Sequence, residues 1–430
     1  MDIGEKEPVM LPNLTPDVAL AARLFDELRA RSFDGIGITR EAYGPGERMA
    51  HALLAEAGDA LGLERKVDPI GNLYLTLPGT DRNAKRVVLG SHLDSVPQGG
   101  NFDGAAGVLA GLAAVAGMQR AGFTPARDIT VMAIRAEEAG AWFPTSYPGS
   151  RGALGRLKPE ELQVKRLDSG RSLAEHMREE GFDPGFAEAG RRMLSPEDTA
   201  AFLEIHIEQG PVLEAEGIPL GIVTGVPGSR RLRAGRVLGE YNHSGATPRK
   251  YRRDAAIALA ELAVELDEAW CLLEAKGHQL VCTFCVLATT EEAGFTKIPG
   301  EARFQLDVRS LDLHSVDALY EVLYDAVTRI EARRGVTFEL GGQAGSQASL
   351  MDAGVQRGLV RAAEALGIAH RSMASGAGHD AAAFAQAGIP AGMLFVRNQH
   401  GSHNPKEDMR MDDFEKACAV MQRFAAEYGA

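Results

Sequence analysis

Apolar side chains recur at helical spacing through residues 16–32 (Val18, Leu20, Ala21, Leu24, Leu28), and a similar pattern runs over 47–63. Two short apolar runs follow, Leu73–Leu77 and 87–92, with the length and composition of strands. Residues 104–122 read GAAGVLAGLAAVAGMQRAG. A helix of that composition has almost no polar face, so it is expected to be buried on most sides. Ile129–Ile134 is a further strand. Strands alternating with helices predict an α/β domain with a mostly parallel sheet.

The middle of the chain has a different rhythm. Residues 218–226 and 232–241 read as strands and 254–276 as a long amphipathic helix. Two more strands at 280–287 and 302–310 and a second helix at 315–334 follow. The order β-β-α-β-β-α predicts a small antiparallel sheet with helices on one face, an α+β insert. Helical patterns then return at 355–367, 380–388 and 412–428, around the strand Ala391–Val396. The expected organisation is a catalytic α/β domain built from 1–216 and 335–430. The inserted domain, 217–334, has roughly 115 residues, a usual domain size.

Composition narrows the classes of partner. The 430 residues carry 46 Lys+Arg against 59 Asp+Glu, a net charge of −13. That acid excess, with no long basic block, argues against nucleic acid or an anionic membrane as partner. No run approaches the roughly 18 apolar residues of a membrane helix. The opening MDIGEKEPVMLPNL lacks a basic stretch followed by an apolar core, so no signal peptide is visible and a cytoplasmic address is expected. Four cysteines (Cys271, Cys282, Cys285, Cys418) are too few for a disulfide framework. Cys282 and Cys285 have CxxC spacing, but on a strand positions i and i+3 face opposite sides, so both are expected to be small core residues.

Chemistry gathers after the apolar strands. GSHLD (90–94), RAEEA (135–139), FLEIHIEQG (202–210) and GSHNPKE (401–407) each place carboxylates or histidines there, and NFDGAAG (101–107) opens the small-residue helix. The carboxyl ends of parallel strands share one rim, where ligands bind. Carboxylates converging on that rim repel unless something positive sits among them, and histidines beside them point to metal ions. Taken singly, Asp103 reads as a helix N-cap, Glu137 and Glu138 as a solvated pair, and His92, Asp94 and His206 as satisfied polar residues. Five such coincidences together favour a metal site. Imidazole and carboxylate without cysteine suit zinc, and also manganese, cobalt or nickel. There are ligands enough for two ions sharing one carboxylate, an arrangement used in hydrolysis.

In longer form the motifs are GSHLDSVPQGGNFDGAAGVLAG (90–111), AEEAG (136–140), LEIHIEQGPVLE (203–214), NHSGATPRKYRRDA (242–255), SGAGHDA (375–381) and GSHNPKE. In this order, from Thr39 to the C-terminus, the chain resembles the hydantoinase/carbamoylase branch of the aminoacylase/carboxypeptidase-type di-metal family. That branch includes N-carbamoyl-L-amino-acid hydrolase, allantoate amidohydrolase and β-ureidopropionase, and HIEQGP and HSGATP separate it from its peptidase relatives.

The resemblance implies that His92 and His206 bind one ion, that Asp103 bridges two, and that Glu138 and His403 complete the second. Asp94 would orient His92, and Glu137 would be the general base toward a metal-bridging water. The insert would be a lid and dimerisation domain whose His243 reaches the partner subunit's site and hydrogen-bonds the scissile carbonyl. Arg309 would hold the substrate carboxylate, Gln209 would contact its ureido or carboxylate end, and His379 would cap the following helix or touch substrate. Without the resemblance, His243 is a turn histidine and Arg309 an exposed strand residue; Arg230 and Arg231 are further anion contacts or, in preference, solvated surface residues.

Two departures bear on substrate. Thr296 stands where relatives carry a substrate-reading Asn, and it lacks the paired donor and acceptor of an amide. The loop at 142–151, WFPTSYPGSR, also differs. The expectation is a homodimeric amidohydrolase with two divalent ions per subunit, zinc first, cleaving a linear C–N amide bond of a small carboxylated substrate. N-carbamoyl-L-amino acids lead; allantoate or ureidoglycolate, then N-acyl amino acids or dipeptides, are the alternatives. A non-catalytic, metal-dependent carboxylate binder is the reading from another class, and it has no need of Glu137.

Overall fold

The computed structural model describes residues 14–428. Residues 1–13, on which the signal-peptide reading rests, lie outside them. The large sheet has eight strands in the order Glu64–Val67, Leu73–Leu77, Ile129–Ile134, Arg86–His92, Thr199–Ile207, Ala391–Val396, Leu220–Val223, His370–Met373. The four central strands, Ile129–Ile134 to Ala391–Val396, run parallel. Leu73–Leu77 and Leu220–Val223 flank them antiparallel. ITVMAI and AGMLFV are buried at every position, as strands covered on both faces must be.

The small-residue helix, Ala105–Arg120, is buried from Ala105 through Met118, as its composition predicts. Glycine lets it lie directly on the sheet. A Cβ on Gly107 would fall 2.1 Å from the carbonyl oxygen of Ile205.

Contacts divide the chain into two units, one comprising residues up to Thr224 and from Leu350 onward, the other Gly225–Ser349. The expected insert, 217–334, is therefore displaced at both ends. Within 218–226, Leu220–Val223 is no insert strand, since it pairs with Ala391–Val396 in the large sheet. Beyond Arg334, Thr337–Glu339 and Gln343–Ser346 both pair with Gly228–Leu238. The main elements of this unit thus run β-α-β-β-α-β-β, not β-β-α-β-β-α. Strands as short and polar as TFE and QAGS give no periodic signal.

Helices Ala255–Ala275 and Leu313–Arg334 pack on this second sheet. On the strand Glu301–Ser310, Ala302, Phe304, Leu306 and Val308 enter that core, so Arg303, Gln305, Asp307 and Arg309 point to the opposite face. Val281–Thr289 is its exposed edge, with a bulge between Phe284 and Val286. Of the two cysteines expected in the core, Cys282 is therefore only partly buried, packed against that core, and Cys285 is exposed. Among the described residues no helix is long and apolar enough to cross a membrane.

Candidate metal centre and active site

Each of the four parallel strands delivers part of a cluster at its carboxyl end. Leu89 lies opposite Leu203, so His92 and His206, three residues further along each strand, stand level. Their Nε2 atoms are 3.3 Å apart. Asp103 Oδ1 lies 3.5 Å from His92 Nε2 and 3.1 Å from His206 Nε2. The other ring nitrogens face acceptors: His92 Nδ1 is 3.2 Å from the Asp94 carbonyl oxygen and 3.4 Å from its carboxylate, and His206 Nδ1 is 2.9 Å from the Ile207 carbonyl oxygen. Protons held at Nδ1 leave both Nε2 lone pairs aimed at one point. Asp103 Oδ1, buried beside them, has no hydrogen-bond partner. Two lone pairs and an orphaned carboxylate oxygen form a donor set that fits a divalent cation.

Asp103 does not cap the helix behind it. Gly104 occupies the cap position, and no side-chain cap bond forms. Gly104 has φ +65°, and a Cβ there would sit 2.3 Å from His92 Cε1, so only glycine leaves room for the imidazole. The second oxygen, Asp103 Oδ2, accepts from Gln209 Nε2 at 2.8 Å and Ser402 Oγ at 2.6 Å. It also lies 3.5 Å from His403 Nε2, which is 2.8 Å from Glu138 Oε1. One carboxylate thus stands between His92 with His206 on one side and Glu138 with His403 on the other.

Asp94 ties this arrangement to the neighbouring strand. Its fully buried carboxylate accepts the N–H of Glu137 at 3.1 Å and of Glu138 at 3.0 Å. The turn before them begins at Ala136, whose N–H donates to Glu47 Oε1 at 2.7 Å; Glu47 is in turn ion-paired with Arg135 at 3.1 Å. Ala136, Gln209 and His403 are three of the seven non-glycine residues with positive φ among the described residues. Strain of this kind persists where surrounding structure imposes it, often at functional sites.

Glu137 Oε2 is 3.7 Å from His92 Nε2. Burial holds the Glu137 carboxyl well above the usual range; His92 opposes this, while Glu138, Asp380 and Asp94 reinforce it. The three imidazoles are raised as well. Hydrogen bonds to Asp103 and Glu138 bring His403 up to about 10. For His92 and His206 burial works downward, but Glu137 beside the first and Asp103 beside the second outweigh it.

His379 sits behind His206, 1% exposed, with ring centroids 4.5 Å apart and Nε2 3.0 Å from Ser375 Oγ. Burial lowers its pKa strongly. It makes no cap bond to the helix Asp380–Gln386, against that part of the expectation. The 142–151 loop packs onto the same segment through Ser150 Oγ, 2.5 Å from Asp380 Oδ1, and is anchored by Trp142 Nε1 on the Ser95 carbonyl.

The remaining expected residues belong to Gly225–Ser349. His243 Nδ1 accepts the N–H of Gly245 at 3.1 Å and of Ala246 at 3.0 Å, so the ring proton sits on Nε2. Asn242–His243 pairs with Lys297–Ile298, and Ser244 N–H donates to the Thr296 carbonyl, placing Thr296 beside His243. Arg309 Nε and Nη2 bind Asp307 Oδ2 at 3.0 and 2.9 Å, and Arg231 Nε reaches the same oxygen at 3.2 Å. Arg230 pairs with Asp317 at 2.6 Å over the Tyr320 ring. Both arginines expected to be solvated are therefore ion-paired.

Two further residues, Glu407 and Arg40, brace the cluster. Glu407 Oε1 accepts the N–H of Phe102 and Asp103 at 2.9 and 3.1 Å, and its Oε2 lies 2.6 Å from Ser402 Oγ, fixing the backbone that carries Asp103. Buried Arg40 donates to the Leu93 carbonyl at 2.6 Å and Asn101 Oδ1 at 3.3 Å, joining two segments of the site. Glu407 lay in a motif already singled out. Arg40 did not, because its partners are distant in sequence.

The chain is similar to known proteins along nearly its whole length. Residues 88–427 match the profile of Peptidase family M20/M25/M40. The chain is 34% identical over 414 residues to the N-carbamoyl-L-amino-acid amidohydrolase of Paenarthrobacter aurescens, covering 95% of this chain and 98% of that one. It is 33% identical over 381 residues to the allantoate amidohydrolase of Bacillus subtilis (strain 168), covering 87% and 89%. The crystal structure of a hydantoinase/carbamoylase family amidase from Burkholderia ambifaria matches with a TM-score of 0.85 and 32% identity, covering 97% and 98%. With an ordered motif set, a cation-fitting donor cluster and these likenesses along nearly its whole length, the chain belongs to peptidase family M20/M25/M40, as an amidohydrolase of its hydantoinase/carbamoylase branch.

Proposed function

We propose that this chain hydrolyses the carbamoyl C–N bond of an N-carbamoyl-L-amino acid, releasing the amino acid, ammonia and carbon dioxide. The observation that carries the reading is Glu137, a buried carboxyl of raised pKa 3.7 Å from His92 Nε2, beside the Asp103 cluster. A passive binder of metal and carboxylate needs no such group. The substrate class rests on the likeness to the Paenarthrobacter aurescens enzyme.

Two divalent ions, zinc first, would be held by His92, His206 and Asp103 and by Asp103, Glu138 and His403. Bound there, they supply the Lewis acidity that polarises the amide carbonyl and makes water nucleophilic at neutral pH. Glu137 takes the proton of the attacking water and passes it to the departing nitrogen, a task suited to a raised pKa. Asp94 keeps Glu137 in place through its N–H. Gln209 has spent Nε2 on Asp103, and its unpartnered Oε1 accepts a ureido N–H. In a homodimer joined through the inserted unit, His243 of one subunit donates Nε2–H to the carbonyl oxygen in the other as negative charge develops. Arg309, already oriented by Asp307, grips the substrate carboxylate.

The test is ammonia release by metal-reconstituted protein from N-carbamoyl-L-amino acids, allantoate and ureidoglycolate, with N-acetyl amino acids and dipeptides scored by free amine. Ammonia from the carbamoyl compounds, abolished by chelator and restored by zinc, manganese or cobalt, is the expected result. Faster turnover of allantoate would move the assignment to the activity named for the Bacillus subtilis relative. Silence on every ureido compound would overturn it.

A further inference from the structure

The segment that flanks His243 presents one side chain for which the reaction chemistry has no use. Phe295 is fully solvent-exposed, at 105% relative exposure. A loose loop tip would explain that, but this one is pinned. Ser244 donates through Oγ to the Phe295 carbonyl at 2.8 Å and through its N–H to the Thr296 carbonyl at 2.9 Å. Lys297 N–H closes a turn onto the Gly294 carbonyl at 3.0 Å, Lys297 Nζ reaches the Glu292 carbonyl at 3.2 Å, and Lys297 itself lies opposite His243 in the short strand pair. The Phe295 backbone is thus held on the same small scaffold as His243, which is itself exposed. A phenyl ring left in water on a held backbone forgoes its whole transfer free energy, and a ring so placed is fit to meet an apolar surface.

We propose that Phe295 is a specificity-determining residue that packs against the side chain of the substrate amino acid while His243 meets the carbonyl. The preferred substrates then carry a large apolar side chain, as in N-carbamoyl-L-leucine, rather than none, as in N-carbamoylglycine. This rests on the function proposed above, in which His243 acts at the reacting amide. Thr296, short and polar where an amide side chain is usual, agrees with a neighbourhood that has given up polar reading of the substrate.

Phe295 has no fold-stabilising contact to lose, so F295A and F295L can be compared with wild type as metal-loaded full-length proteins. The paired substrates are the leucine and glycine members of the N-carbamoyl series and, in parallel, of the N-acetyl series. Wild type should prefer leucine. F295A should lower kcat/KM for leucine at least about tenfold more than for glycine, the scale on which apolar contacts discriminate substrates, and F295L should restore most of the loss. Equal effects on both members, or a wild-type preference for glycine, would overturn the proposal. Wild type acting only on the N-acetyl pair would overturn the carbamoylase reading instead, with the role of Phe295 then decided on that pair. Activity on neither pair overturns both.

Discussion

Asp94 is the point at which the site can be loosened without removing any group from the reaction. It accepts the N–H of both Glu137 and Glu138 and faces His92 Nδ1 at 3.4 Å, with its side chain wholly buried. Asp94→Ala leaves two buried amides unpaired, each costing about 1–3 kcal/mol, or about 2–6 kcal/mol together. Asp94→Asn keeps one accepting oxygen and turns an NH2 toward the other N–H, so it should lose about half of that and still fold. The same contact sets the orientation of His92. Changes to groups that orient a metal-binding histidine typically cost 10–100-fold in metal affinity or activity, and about that is expected for Asp94→Asn. The measurements are thermal unfolding of chelator-treated protein, metal affinity by competition with a chromophoric chelator, and kcat at saturating metal. Wild-type Tm, affinity and kcat in Asp94→Asn would refute the argument that this carboxylate couples the His92 and Glu137 strands.

Glu137→Gln should retain metal and lose turnover by about 10²–10⁴-fold, and full activity in a metal-loaded variant would remove Glu137 from its proposed role. Metal uptake should release protons. His403, brought up to about 10 in the metal-free protein, is charged at neutral pH and must lose its proton to become a ligand; His92 and His206 are shifted in the same direction by Glu137 and Asp103. The signs oppose each other: the stability the His403 imidazolium contacts give the metal-free protein is fully present below about 6.5 and is lost as pH rises through 10, whereas metal affinity rises with pH. Titration calorimetry in buffers of different ionisation enthalpy should read at least one proton per site; no proton release would contradict the raised values. A His243→Ala protein mixed equally with a His92→Ala protein should recover about a quarter of wild-type activity, since half of randomly paired dimers are hybrids with one complete site of two. Verified hybrids without activity would exclude action across the subunit boundary.

Much of the site was written locally in the chain. GSHLD, RAEEA, HIEQG and GSHNPKE each follow an apolar run, and parallel strands bring their ends to one rim, so His92, Asp94, Asp103, Glu137, Glu138, His206 and His403 were legible as a group. The buried helix was legible too, because a run of alanine and glycine has no face to turn to water. The limits of the insert were not. Leu220–Val223 looks like any apolar strand, and only its pairing with Ala391–Val396 assigns it to the large sheet. The edge position of Val281–Thr289 likewise exposes Cys285, which a strand pattern alone places inside.

By itself the sequence determined which side chains could do the chemistry, because residue type and the period of burial are local properties. Tertiary structure decided how they are used. It set two imidazoles level on neighbouring strands with their Nε2 lone pairs facing one carboxylate oxygen, turned Asp103 from a helix cap into the centre of the cluster, and raised Glu137 by burial among other acids. It also brought in Arg40 and Glu407 as braces. Each of these depends on distances between segments far apart in the chain, and residue order carries no such distance until the sheet register sets it.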